Sequence, residues 1–159
     1  MDQTLPEDQT ILEEIRHAVW IHRSPDDVFS VFTSREGWNA WFTEDISLDP
    51  QPGGRIIFQW KDWGADHIST SDHGRVIEVL PAELFSFTWH PDRPDYATIV
   101  EFTLELEHEG TVMRVCERGF ASTPEGLHAM VQSAAGWGEA LTLLKMYLEH
   151  DIRHEKSGH

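Results

Sequence analysis

Glu117 is the residue of this chain whose type and position could do chemistry. It closes the stretch 111–119, where Met113, Val115 and Glu117 share one parity, so a carboxylate points to the side of a strand that otherwise carries apolar residues. Three roles are open to it. Its head reaches solvent or pairs with Arg118 or His17, it anchors a polar atom of a ligand, or it acts as an acid or base with a pKa raised by a dry pocket. No nucleophile beside a base, phosphate-binding loop or metal triad is placed by the spacing. No catalytic set is therefore assigned, and Glu117 and His17 are the candidates should there be one.

Large rings surround that position. Seven tryptophans (Trp20, Trp38, Trp41, Trp60, Trp63, Trp89 and Trp137) stand in 159 residues, more than a core of this size needs, and indole pairs bulk with one polar N–H that can orient an apolar ligand. Cys116 is the only cysteine, so the chain has neither an intrachain disulfide nor a site built on several thiolates. Ten histidines invite a metal, and His150 and His154 are four apart, but no third ligand is placed and histidines at a helix C-terminus are favoured on electrostatic grounds alone. No metal and no cofactor is expected.

The elements that must position these residues follow from alternation and capping signals. Residues 11–22 alternate as a first strand, and Ser24-Pro25-Asp26-Asp27 starts a helix at once, followed by a second short one carrying Trp38, Trp41 and Phe42. From the turn at 50–54, antiparallel strands are expected over 55–61 (Ile56, Phe58, Trp60), 74–80, 85–89 (Phe85, Phe87, Trp89), 98–107 (Val100, Phe102, Leu104, Leu106) and 111–119. A long helix from Thr123-Pro124 carries Met130, Ala134, Trp137, Leu141, Leu144 and Leu148 at spacings of three and four, with Gly136 and Gly138 implying a close approach or a kink. The fold class is α+β: a curved antiparallel sheet of six to seven strands around one long helix, with two short helices after the first strand. Residues 11–152 read as a single domain, with loose ends at 1–10 and 153–159.

One helix covers only part of a curved sheet, which leaves a cavity. Its expected lining is Trp41 from the short helices, then Phe58, Trp60, Phe87, Trp89 and Phe102 from the sheet. Met113, Val115 and Glu117 of the last strand complete that face, opposed by Met130, Trp137 and Leu141 on the helix. Twelve Lys and Arg against 28 Asp and Glu give a formal charge of −16, which repels phosphate backbones and anionic lipid and excludes nucleic acid as a partner. No apolar run has the length of a bilayer span and the N-terminus is acidic, so a cytoplasmic protein without membrane insertion, monomeric or weakly dimeric, is expected.

Several stretches resemble the START-like helix-grip superfamily, in the branch similar to the C-terminal domain of the activator of the 90-kDa heat-shock-protein ATPase. They are Ser24-Pro25-Asp26-Asp27-Val28-Phe29, Trp41 ahead of Pro52-Gly53-Gly54-Arg55, Gly74-Arg75-Val76-Ile77-Glu78-Val79-Leu80-Pro81 leading to Phe87-Thr88-Trp89, Gly110-Thr111, Arg118-Gly119-Phe120, and Gly136-Trp137 with Leu141 and Leu144. Their order and spacing carry the likeness across residues 11–150. The resemblance implies a deep cavity between sheet and C-terminal helix, used across the superfamily for lipids, sterols, polyketides and other apolar molecules. Where many relatives carry a His before a Ser-Gly-Phe-like run, this chain has Glu117 before Arg118-Gly119-Phe120. The expected function is binding of a small hydrophobic, aromatic or lipid-like molecule by a sensor, carrier or sequestering protein. An enzyme of the polyketide cyclase, aromatase or hydrolase type using the same cavity is the second reading, and a chaperone-interacting protein the third.

Overall fold

A computed structural model describes residues 13–153. The expectations for residues 1–10 and for His154 and the tail beyond it lie outside the described residues. In chain order the elements are β1 (Ile15–Ile21), α1 (Pro25–Phe32), α2 (Arg35–Trp41), β2 (Asp45–Leu48), β3 (Arg55–Trp63), β4 (Ile68–Leu80), β5 (Leu84–Trp89), β6 (Thr98–Glu107), β7 (Gly110–Arg118) and α3 (Pro124–His150). Each helix starts where a hydroxyl accepts an otherwise unpaired N–H. Ser24 takes that of Asp27, Ser34 that of Gly37 and Thr123 that of Gly126, each cap contributing about 1 kcal/mol.

The seven strands form one curved antiparallel sheet in the order β1-β7-β6-β5-β4-β3-β2. From β2 onward every strand pairs with its successor, and the last of them, β7, also takes β1, with Ile15 opposite Glu117 and Ile21 opposite Thr111. Alternation sets the inner face: in β3, Ile56, Phe58 and Trp60 are buried while Arg55, Ile57 and Gln59 are exposed. The α+β helix-grip architecture is thus the observed one, with details the alternation did not supply. The strand β2 was not expected. β4 begins at Ile68, six residues before the expected start. Leu106 is 67% exposed, one pair from the β6–β7 turn.

Trp38 of α2 fills the centre of that face. Its ring lies 5.6 to 6.5 Å from those of Phe32, Trp41, Phe42, Phe58, Phe85, Phe87 and Phe102, and its N–H donates to the Phe32 carbonyl at 2.9 Å. Helix α3 adds Trp137, Ala140, Leu141, Leu144 and Leu148 and packs on β1 and α2. Its C-terminal turn is tied to the edge strand: Arg23 Nη1 donates to Leu148 O at 2.7 Å, and Glu149 accepts the His22 N–H at 2.8 Å. Ala134 is exposed and Met130 half-buried, because the buried stripe runs through Ala129 and half-buried Ser133 to Trp137.

Two glycines have opposite reasons to be there. A Cβ at Gly74 would fall inside the Thr88 carbonyl group, which sits against β4 where it begins to part from β5. A Cβ at Gly136 or Gly138 would meet nothing within 4 Å, so a close approach does not explain them. Gly74→Ala is therefore expected to destabilise the protein by about 2 kcal/mol or more through the forced backbone shift, whereas Gly136→Ala should stabilise it by about 0.5–1 kcal/mol through helix propensity. Urea unfolding of the two variants checks both signs.

Candidate functional site

The side chain of Glu117 is fully buried at the end of β7. Its Oε2 accepts the Trp89 indole N–H and the Thr98 hydroxyl, both at 2.7 Å, and its Oε1 accepts the Trp137 indole N–H at 2.9 Å. One carboxylate thus joins β7 to the end of β5, the start of β6 and the middle of α3. Burial pushes its pKa up, and the hydrogen bonds from Thr98, Trp89 and Trp137 oppose that shift without cancelling it. Arg118 and His17 are not its partners. His17 faces the register position of Val115 but is exposed on the edge strand, where it borders a depression walled by charged residues such as Arg16, Glu101 and Arg114.

On the other side of the two indoles lies a recess of about 370 Å³ between the β3–β5 end of the sheet and α3. Its apolar wall is Phe42, Trp60, Trp63, Trp89 and Trp137, with Gly136 and Ser133 of α3 at the margin; Ser71, Asp72, His90 and Asp92 supply a polar rim. Trp89 and Trp137 are 5.4 Å apart between ring centres, Trp60 and Trp89 5.9 Å, and Phe42 sits 5.4 Å from Trp60. Their N–H groups are turned back to Glu117, which does not line the recess. Trp89 and Trp137 line the recess while their N–H groups are held by Glu117.

Of the residues expected to line a cavity, Trp60, Trp89 and Trp137 meet at this recess and Glu117 stands directly behind it. Phe58, Phe87, Phe102, Met113, Val115 and Leu141 are buried in the packed core around Trp38, as is Trp41, whose indole N–H has no acceptor among the described residues. Met130 lies on α3 outside the recess.

Trp63, Phe42, Asp72 and His90 are the residues that alternation missed. In β3 a register shift between Trp60 and Trp63, with Asp62 at φ 55°, inserts one residue and turns Trp63 onto the inner face beside Trp60. The signal for it was a strand with Trp60 and Trp63 three apart. Asp72 fills the gap where β4 and β5 separate: its Oδ2 accepts the His90 backbone N–H, while its Oδ1 accepts that of His73 at 2.7 Å and lies 2.9 Å from His90 Nδ1.

The raised pKa of Glu117 carries a sign for stability. Between the ordinary glutamate value and the raised one, the folded protein holds a proton that the unfolded chain has released, so stability from this group is complete at lower pH and is lost as pH rises through that window. Glu117→Gln removes this dependence and sets an amide NH2 against one of the donors, which costs about 1–3 kcal/mol. The difference in unfolding free energy between the wild type and this variant should therefore shrink from acid to neutral pH. Urea titrations across that range measure it.

The family model for Activator of Hsp90 ATPase homolog 1-like protein matches residues 22–149. No curated protein matches the sequence. Among solved structures, the Aha1 dimer from Colwellia psychrerythraea is 22% identical over 87% of this chain and 98% of its own, with a TM-score of 0.71. SSP2350 from Staphylococcus saprophyticus is 20% identical over 91% and 98%, with a TM-score of 0.74. DynU16, a protein in the dynemicin biosynthetic locus, is 22% identical over 94% of this chain and 51% of its own, with a TM-score of 0.73. Identities at this level establish the shared fold. The match over most of the chain, on a sheet gripping one long C-terminal helix, places this protein in the family of Activator of Hsp90 ATPase homolog 1-like proteins, a branch of the START-like helix-grip superfamily.

Proposed function

We propose that this protein binds a flat aromatic molecule of about two to three fused rings in the recess between Trp60, Trp89 and Trp137. The observation that carries this reading is the way Glu117 holds two indoles by their N–H groups. A ring gripped at its polar edge cannot turn, so its face is set before a ligand arrives and little side-chain freedom is lost on binding. The volume of about 370 Å³ suits such a molecule and falls well short of a two-chain lipid. Asp72 and His90 on the rim offer a polar end to the ligand. The likeness in fold to DynU16, a protein of a biosynthetic locus, is in keeping with a small organic partner. A carrier, sensor or sequestering role fits better than turnover, since the carboxylate of Glu117 is engaged by three donors and screened from the recess by the indoles.

Calorimetry with 2-naphthol, an anthraquinone and palmitate tests this. One aromatic molecule per chain should bind with a negative heat-capacity change and raise the melting temperature, and palmitate should not. Trp60→Ala removes one wall, and Gly136→Leu places a side chain at the recess margin; each should weaken aromatic binding about tenfold or more, equivalent to about 1.4 kcal/mol. Aromatic binding that Gly136→Leu leaves unchanged, or no aromatic binding at all, would count against the proposal.

A further inference from the structure

Asp72, His73 and His90 each offer one ligand atom, and the three atoms lie within 4.8 Å of one another. We propose that they form a binding site for a divalent first-row transition-metal ion of the zinc, cobalt and nickel class. A carboxylate and two imidazoles are the donor set such ions take, whereas calcium and magnesium prefer oxygen alone. The Oδ1 of Asp72 and Nδ1 of His90 are 2.9 Å apart. Two ligands bound about 2.1 Å from one ion at ordinary angles are about 3.0–3.4 Å apart, so an ion can replace the proton between them with a movement of a few tenths of an ångström.

The rest of the arrangement supports an ion more than a simple bridge. Closing the gap between β4 and β5 needs only the Asp72 carboxylate and the His90 backbone N–H, and both are in place. That leaves unexplained why the His73 imidazole is laid against that of His90, ring centres 5.0 Å apart. His73 is exposed, so rotating its side chain brings its nitrogen into the coordination sphere at little cost, while Asp72 and His90 are mostly buried and already fixed. The second oxygen of Asp72 is held by the His90 N–H, which supplies the outer-shell hydrogen bond that ligand carboxylates usually need. The depression that Asp72, His73 and His90 share is also lined by Asp92, Arg55 and Arg93, on a chain of formal charge −16. Asp72 and His90, though not His73, also line the indole-walled recess, so an ion held by the three would sit at its border.

The inference stands apart from the aromatic-ligand proposal, since ion binding is measured with no organic molecule present. Metal-free full-length protein is titrated with Co²⁺ followed by visible absorption, then with competing Zn²⁺. One ion per chain should bind with a dissociation constant on the order of 10 µM or tighter. His73→Ala and His90→Ala should each weaken it at least tenfold while leaving the melting curve in place, because the backbone bonds to Asp72 persist. Asp72→Asn is a poorer probe, as it disturbs the sheet itself. His150→Ala, which changes an exposed histidine at the end of α3, should have no effect. The proposal falls if no saturable binding of one ion per chain is seen, if the two variants bind within twofold of the wild type, or if binding follows His150 instead.

Discussion

A single buried carboxylate ties three strands and the last helix together at one point. Glu117 receives one hydrogen bond from β5, one from the start of β6 and one from α3, and it belongs to β7. Removing a carboxyl from water favours its neutral form, and the three donors offset that penalty in part. Here the donors come from three separately placed elements and the acceptor from a fourth, so none can shift without exposing or orphaning the others. Two of those donors are also the walls of the recess. Fold and site therefore share one interaction, and the indole faces are only as rigid as the bonds behind them.

The packed centre explains where the remaining space lies. In this chain α2 delivers Trp38 onto the inner face, and seven rings close around it within 6.5 Å. Interiors packed to this density leave no room for a ligand among the rings around Trp38. What stays open is one end, where the bulge in β3 brings Trp63 to the wall and Gly136 leaves α3 without a side chain. The size of any guest is thus set by the short helices, and its polarity by Asp72 and His90 at the point where two strands part.

Much of the sheet was legible because its strands are buried on one side. Ile56, Phe58 and Trp60, or Val100 and Phe102, announce the inner face by alternation alone, and Glu117 could be assigned to that face on the same ground. Its partners could not. Trp89 and Trp137 meet it only after β5 and α3 are docked, which no local pattern encodes. Trp63 was hidden by the inserted residue near Asp62, since one extra residue reverses every later parity. The four residues of β2 are too few to show a period. Asp72 and His90 are 18 positions apart and come together only because Gly74 admits the Thr88 carbonyl into the space a side chain would fill.

The strand order also has a kinetic side. Strands β2 to β7 form a meander in which every pairing is between neighbours in the chain, and such pairings close short loops. β1 is different, for its partner β7 lies roughly 100 residues further on, and closing that loop costs more chain entropy than any pairing within the meander. Helix α3 follows β7 and packs on β1. The hydrogen bonds of Glu117 are complete only with α3 in place, since Trp137 supplies one of the three. The carboxylate that joins four elements thus sits where the contacts most distant in sequence converge.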